Sequence, residues 1–127
     1  MARERERKRR GRLSRSGDFE RAYRDGDSHS NRFMVLYAFP RPDTEEDRVR
    51  LGVSVGRKLG GAVERNRVKR ALREAFREAA GRLPPGHDFV LVGRPDLAGL
   101  VEREGADGVR SCLEEVIRES GLSRRNV

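Results

Sequence analysis

The sequence predicts a single-domain α+β sandwich of two layers, with its elements in the order helix, strands, helix, strand, helix. Three observations predict it. Short apolar runs at 33–39, about 48–55 and 89–92 are bounded by proline, glycine or polar residues, as strands are. Two longer stretches, near 62–80 and 106–119, repeat apolar residues at helical spacing. A chain of 127 residues supplies one compact core and hardly two.

Residues 1–12 are nearly all charged and have no apolar face, so they are expected to form a disordered basic arm. The domain is expected over 13–120, with a frayed C-terminus at 121–127. Ser16 or Asp18 caps a short first helix that reaches about Arg24 and stops at Gly26. Phe19, Ala22 and Tyr23 share one side of it at i, i+3 and i+4.

In the first strand Phe33, Val35, Tyr37 and Phe39 point one way, and Met34, Leu36 and Ala38 the other. Pro40 and Pro42 stop it. The polar link that follows carries Asp43, Glu45, Glu46 and Asp47. It is short, which predicts an antiparallel hairpin with the 48–55 strand. There Leu51, Val53 and Val55 form one face, while Gly52, Ser54 and Gly56 leave the other small and open.

The 62–80 helix has an apolar stripe of Val68, Leu72, Ala75, Phe76 and Ala79. Asn66, Lys69, Arg70, Arg73 and Arg77 fall on an adjacent arc, with Glu74 and Glu78 beyond it. Gly81 and Pro84-Pro85-Gly86 end the helix. The strand around 88–93, closed by Gly93 and Pro95, is expected to lie parallel to the 48–55 strand through a strand–helix–strand crossover. A final helix over about 106–119 gathers Val109, Cys112, Leu113, Val116 and Ile117.

Composition narrows the partner. The chain is 39 % charged and carries a formal charge of +8. Residues 1–16 hold eight Lys/Arg and two Glu, and residues 57–77 hold eight Lys/Arg and two Glu; the remainder is slightly acidic. Charge concentrated in this way marks a surface for a polyanion, nucleic acid or an anionic membrane. No apolar run is long enough to span a bilayer, and residues 1–16 lack the apolar segment of a signal peptide. Cys112 is the only cysteine, so there is neither an internal disulfide nor a Cys/His cluster for zinc. The cytosol is the expected compartment.

The informative stretch runs from Gly56 to Arg73. Guanidinium groups make bidentate phosphate contacts, and an asparagine amide can meet sugar or base edges. Cations on one helical face replace condensed counterions along an RNA backbone. The alternative is a solvated helix surface, but acidic partners at i,i+4 are scarce on this arc. Arg57-Lys58, Gly61-Ala62-Val63, Arg65-Asn66, Lys69-Arg70 and Arg73 closely resemble, in order and spacing, the signature of the bacterial ribonuclease P protein family. The resemblance extends over about 12–120, through Arg12-Leu13, Asp18-Phe19, Tyr23, Asn31-Arg32, Val35 and Tyr37.

That resemblance implies a left-handed strand–helix–strand crossover and a fourth, edge strand near 26–32. It implies a protein subunit of an endoribonuclease that matures tRNA 5′ ends, with catalysis by the RNA subunit. Arg57, Lys58, Arg65, Asn66, Arg67, Lys69, Arg70 and Arg73 would face that RNA. Phe19, Tyr23, Val35 and Tyr37 would line a cleft, between the first helix, the sheet and the long helix, for the single-stranded leader of precursor tRNA. Aromatic faces suit unpaired bases; for Phe19 and Tyr23, packing of an amphipathic helix is an open alternative. Mg²⁺ would be held mainly by the RNA. Tyr23 stands where the family often has Phe, and Gly56 replaces a frequent Ser.

No residue is assigned a catalytic or metal-binding role. His29 and His87 are read as surface residues, the 43–47 acids as a solvated loop, and Cys112 as core. Gly56, Gly60 and Gly61 are not followed by the Gly-Lys-Ser/Thr of a phosphate-binding loop. The rival readings are a general RNA-binding or ribosomal-type protein, a protein-only nuclease without a catalytic constellation, and a helix-turn-helix DNA binder without its bracing helix.

Overall fold

Among the described residues, the apolar segments at strand and helical spacing and one short polar strand give four strands and two long helices. The computed structural model describes residues 27–40, 50–84 and 86–122. Strands β1 (Asp27–Ser30), β2 (Met34–Pro40) and β3 (Arg50–Val55) precede helix α1 (Ala62–Ala79); strand β4 (His87–Gly93) and helix α2 (Leu97–Ser120) follow. The expected arm, the first helix with Phe19 and Tyr23, the acidic link and the last five residues lie outside the described residues.

The strand order is β1-β2-β4-β3, in one sheet. β3 and β4 run parallel, Leu51 opposite Phe89 and Val53 opposite Leu91, as the crossover reading expects. The hairpin between β2 and β3 does not form. β4 lies between them, antiparallel to β2 with Leu36 opposite Leu91. Burial explains the order. Asp88-Phe89-Val90-Leu91 is buried throughout, so β4 belongs at the centre, where both faces are covered. β3, with Gly52 and Ser54, has less apolar surface to hide and takes an edge. β1, Asp-Ser-His-Ser, is the polar strand at the other edge, where exposed main-chain groups tolerate water.

The larger part of the core lies on one side of the sheet; a small second cluster, Phe39 and Val90 with Tyr37 and Val92 packed on them, lies on the other. Met34, Leu36, Ala38, Leu51, Val55, Phe89 and Leu91 meet Val68, Leu72, Ala75 and Phe76 of α1, together with Val109, Leu113, Val116 and Ile117 of α2. The Phe76 and Phe89 rings lie 5.6 Å apart in a tilted pair, joining the last turn of α1 to the inner strand β4. α1 therefore packs through the stripe that its sequence shows.

α2 is longer than its sequence pattern suggests, because Leu97, Leu100 and Val101 add an earlier apolar turn. Gly105, at φ 63° and ψ −151°, breaks the helix and changes its direction. The 106–119 reading captures only the second half. Asn31 ties the β1–β2 turn to α2. Its Oδ1 accepts from the Phe33 and Met34 N–H groups at 2.9 and 3.1 Å, and its Nδ2 donates to the Cys112 carbonyl at 3.2 Å.

Candidate RNA-binding surfaces

β3 delivers the chain to the basic segment through one tight turn. Arg57–Leu59 form a single 3₁₀ turn in which Leu59, 4 % exposed, is pinned in the core while Arg57 and Lys58 stay outside. Gly60 follows at φ 123°, where a side chain would be strained; a Cβ there would also meet Glu64 at 3.0 Å. α1 then starts, and the Arg65 N–H donates to the Gly61 carbonyl at 2.9 Å.

Asn66, Lys69, Arg70, Arg73, Glu74 and Arg77 line an open depression of about 320 Å³ on the outward arc of α1. The helical repeat that buries Val68, Leu72 and Phe76 turns these residues outward. Four of the expected RNA-facing residues, Asn66, Lys69, Arg70 and Arg73, meet here. Arg65 and Arg67 flank the arc on opposite sides, each roughly 100° from Asn66. Arg65 is half-buried, and its Nε is buried without a hydrogen-bond partner among the described residues. Arg77, on the arc but outside the family motif, lines the depression. So does Glu74, which helical spacing alone sets beyond the arc: it stands at the border, within side-chain reach.

Pairing separates this surface from the rest of the molecule. Arg57, Lys58, Arg67, Lys69, Arg70 and Arg77 make no ion pair among the described residues. Elsewhere Arg32 meets Asp96 at 2.8 Å and Arg82 meets Glu114 at 3.1 Å. Arg110 meets Glu78 at 2.9 Å and Asp107 at 2.8 Å. Hydrogen bonds to Asp96 and to Glu78 hold the Arg32 and Arg110 guanidinium groups above their ordinary range.

The second surface is the sheet face turned away from α1 and α2. Strand register places Ser30, Val35, Val92 and Ser54 in one row across it, and Ser28, Tyr37, Val90 and Gly52 in the next. Val35 and Tyr37 are half-buried, Val90 is buried, and Gly52 and Ser54 contribute little bulk. A third row holds Phe39, Asp88 and Arg50. Asp88 is fully buried and accepts from Arg50 Nε at 2.8 Å and from a terminal guanidinium nitrogen at 2.6 Å. Sequence reading missed this pair. Its signal was an acid directly before the apolar run Phe89-Val90-Leu91-Val92 and an arginine at the matching position of the parallel neighbour. The long helix packs on the opposite side of the sheet from Val35 and Tyr37.

Among the described residues, no group of three or more His, Cys, Asp and Glu could hold a metal ion. His29 and His87 lie on β1 and β4, which are not neighbours. Burial, with Glu115 and Glu104 adding to it, pushes the Cys112 thiol up, away from the reactive thiolate. No described helix is long and apolar enough to cross a membrane.

A protein-family model described as Ribonuclease P matches residues 8–117. The chain belongs to the ribonuclease P protein family. It is 39 % identical over 109 residues to the ribonuclease P protein component of Shouchella clausii, covering 86 % of this chain and 84 % of that one. For the Geobacillus kaustophilus protein component the identity is 37 % over 114 residues, with coverage of 90 % and 89 %. The solved Staphylococcus aureus RNase P protein superposes with a TM-score of 0.76 at 32 % identity, over 89 % of this chain and 97 % of that chain. The Thermotoga maritima RNase P protein does so with 0.72 at 34 %, over 91 % and 98 %. Membership in the ribonuclease P family makes the chain the protein part of an endoribonuclease that processes tRNA 5′ ends together with an RNA subunit.

Proposed function

We propose that the two surfaces divide the work of a ribonuclease P protein subunit: the basic arc holds the RNA subunit, and the far sheet face holds the single-stranded 5′ leader of precursor tRNA. The observation that carries this reading is the row of cations on α1, Lys69, Arg70 and Arg77 among them, with no ion-pair partner among the described residues. Solvated surface charge tends to interleave with opposite charge at i,i+4, whereas an RNA backbone supplies the counter-charge itself and releases its bound cations. Arg57, Lys58, Arg65, Asn66, Arg67, Lys69, Arg70 and Arg73 form the RNA-subunit surface, and Arg77 extends it.

Val35 and Tyr37 offer apolar and ring surface beside the small residues Gly52 and Ser54, which suits a strand of unpaired bases. Phe19 and Tyr23 complete the leader site in this reading. Mg²⁺, held mainly by the RNA subunit, supplies the hydrolytic chemistry; the protein's residues bind and orient the RNA. The setting is the cytosol, where precursor tRNA is made.

Reconstitution tests the proposal. The protein, mixed with a bacterial ribonuclease P RNA, should raise precursor cleavage above that of the RNA alone at low magnesium. The protein alone should not cleave. Correctly placed cleavage without the RNA subunit, by protein purified clear of nucleases, would overturn the division of labour.

A further inference from the structure

The Arg50–Asp88 pair has a place that fold stability alone does not account for. It lies on the face of Tyr37, one row further along the strands, at the end away from Arg57 and Lys58. Asp88 is fully buried in the central strand, yet a buried ion pair stabilises little beyond what apolar side chains of similar size achieve. What the pair does provide is a fixed plane. Asp88 engages Arg50 through Nε and one terminal nitrogen, so the guanidinium is held at two points while 30 % of the Arg50 side chain stays open to solvent. The Asp88 carboxylate against it makes the guanidinium a poor phosphate clamp. What it offers a base is a flat, weakly hydrated surface of the kind that stacks on aromatic rings.

We infer that Arg50, clamped by Asp88, holds an unpaired base of the precursor leader, further from the cleavage site than the base met by Tyr37. The inference rests on the proposed leader site. It adds an order along that site. Arg57 and Lys58 follow the Val55 end of β3, so the RNA subunit stands there and the leader enters from that end. It crosses the Ser54 and Val35 row, then the Gly52 and Tyr37 row, then reaches Arg50. Successive rows are two residues apart along the strands, about 7 Å.

The experiment is a set of binding measurements on the full chain assembled with the RNA subunit. Precursor tRNA is shortened one leader nucleotide at a time, and a parallel set carries single abasic sites in the leader. Arg50→Lys keeps the charge and loses the plane. It should weaken full-length precursor about fivefold, the low end of base stacking, with the salt slope and the affinity for mature tRNA unchanged. As the leader is shortened, the Arg50→Lys effect should vanish before the Tyr37→Ala effect does. The abasic site that silences Arg50→Lys should lie further from the cleavage site than the one that silences Tyr37→Ala.

Loss of the Arg50 effect at the same leader length as the Tyr37 effect, or equal weakening of precursor and mature tRNA, overturns the inference and leaves the leader site standing. Indifference of Tyr37→Ala to leader length overturns the leader site itself. If Arg50→Lys fails to fold, the wild-type abasic series decides. It should show a second sensitive position beyond the Tyr37 one, and a single sensitive position refutes the proposal.

Discussion

The outer arc of α1 and the seam between α1 and α2 use arginine in opposite ways. α1 carries six basic and three acidic residues, and α2 three basic and six acidic. Where the helices meet, charges are matched across the seam: Arg110 on α2 reaches back to Glu78 on α1, and Arg82, just past α1, reaches Glu114 on α2. On the outer arc Lys69, Arg70 and Arg77 make no ion pair among the described residues, although Glu74 borders the same depression. The same residue type is thus a tie between helices on one side and an open cation on the other. The position of carboxylates, more than the count of arginines, marks the RNA-binding side.

The largest effect should come from the buried side of α1. Phe76→Ala removes the ring that packs near Phe89 and should lower unfolding stability by about 3–5 kcal/mol, measured by urea denaturation. Where this variant is still folded, the salt dependence of RNA-subunit binding should match wild type. A changed slope would show that the helix does not separate packing from binding.

Next in size is the outer arc. Replacing Lys69, Arg70 and Arg73 together by Ala should weaken RNA-subunit binding and flatten its salt dependence. The log–log slope should fall by roughly 0.7–0.9 for each phosphate left without its protein cation. Urea midpoints should hardly move. An unchanged slope would make the arc ordinary solvated surface.

The sheet face should respond differently again. Tyr37→Ala should reduce affinity for leader-bearing precursor by about 1–3 kcal/mol, with mature tRNA and the salt slope unaffected. Equal weakening of precursor and mature tRNA would remove Tyr37 from the leader site.

The seam should respond least. Arg110→Ala breaks two exposed pairs, which are worth little in water, so thermal stability should fall only slightly and RNA binding should be that of wild type. A clear drop in RNA affinity would erase the distinction between paired and open arginines. Cys112 offers a pH check beneath the same seam. Its folded thiol is raised above the ordinary value of 9.0, so the stability it contributes is complete below that value and is lost as pH rises through it and beyond. Thiol alkylation near neutral pH should be slow until denaturant is added.

Much of this fold was legible because its signals are local. Val68, Leu72 and Phe76 announced which side of α1 is buried, and the alternation in β2 put Met34 and Leu36 opposite Tyr37. The strand order was not legible. The short link after β2 suggested a hairpin, but the gain from burying Phe89-Val90-Leu91 on both faces comes from segments distant in sequence, and it sets β4 between the two. The first turns of α2 were hidden because Gly105 interrupts the helical repeat between Leu97, Leu100 and Val101 and the 106–119 pattern. For the site, spacing alone placed Lys69, Arg70 and Arg73 on one arc, and side-chain reach drew in Glu74. The Arg50–Asp88 pair depends on parallel register, which no single segment displays.

The insertion of β4 between β2 and β3 has a consequence for synthesis. A chain emerging from the ribosome exposes β2 and β3 some thirty residues before the strand that joins them. Until β4 arrives, each presents an unpaired inner edge, and α1 has no central Phe89 to rest against. The cationic arc is therefore translated well before its orientation is set, and the protein meets RNA as a shaped surface only after about three-quarters of the chain is made.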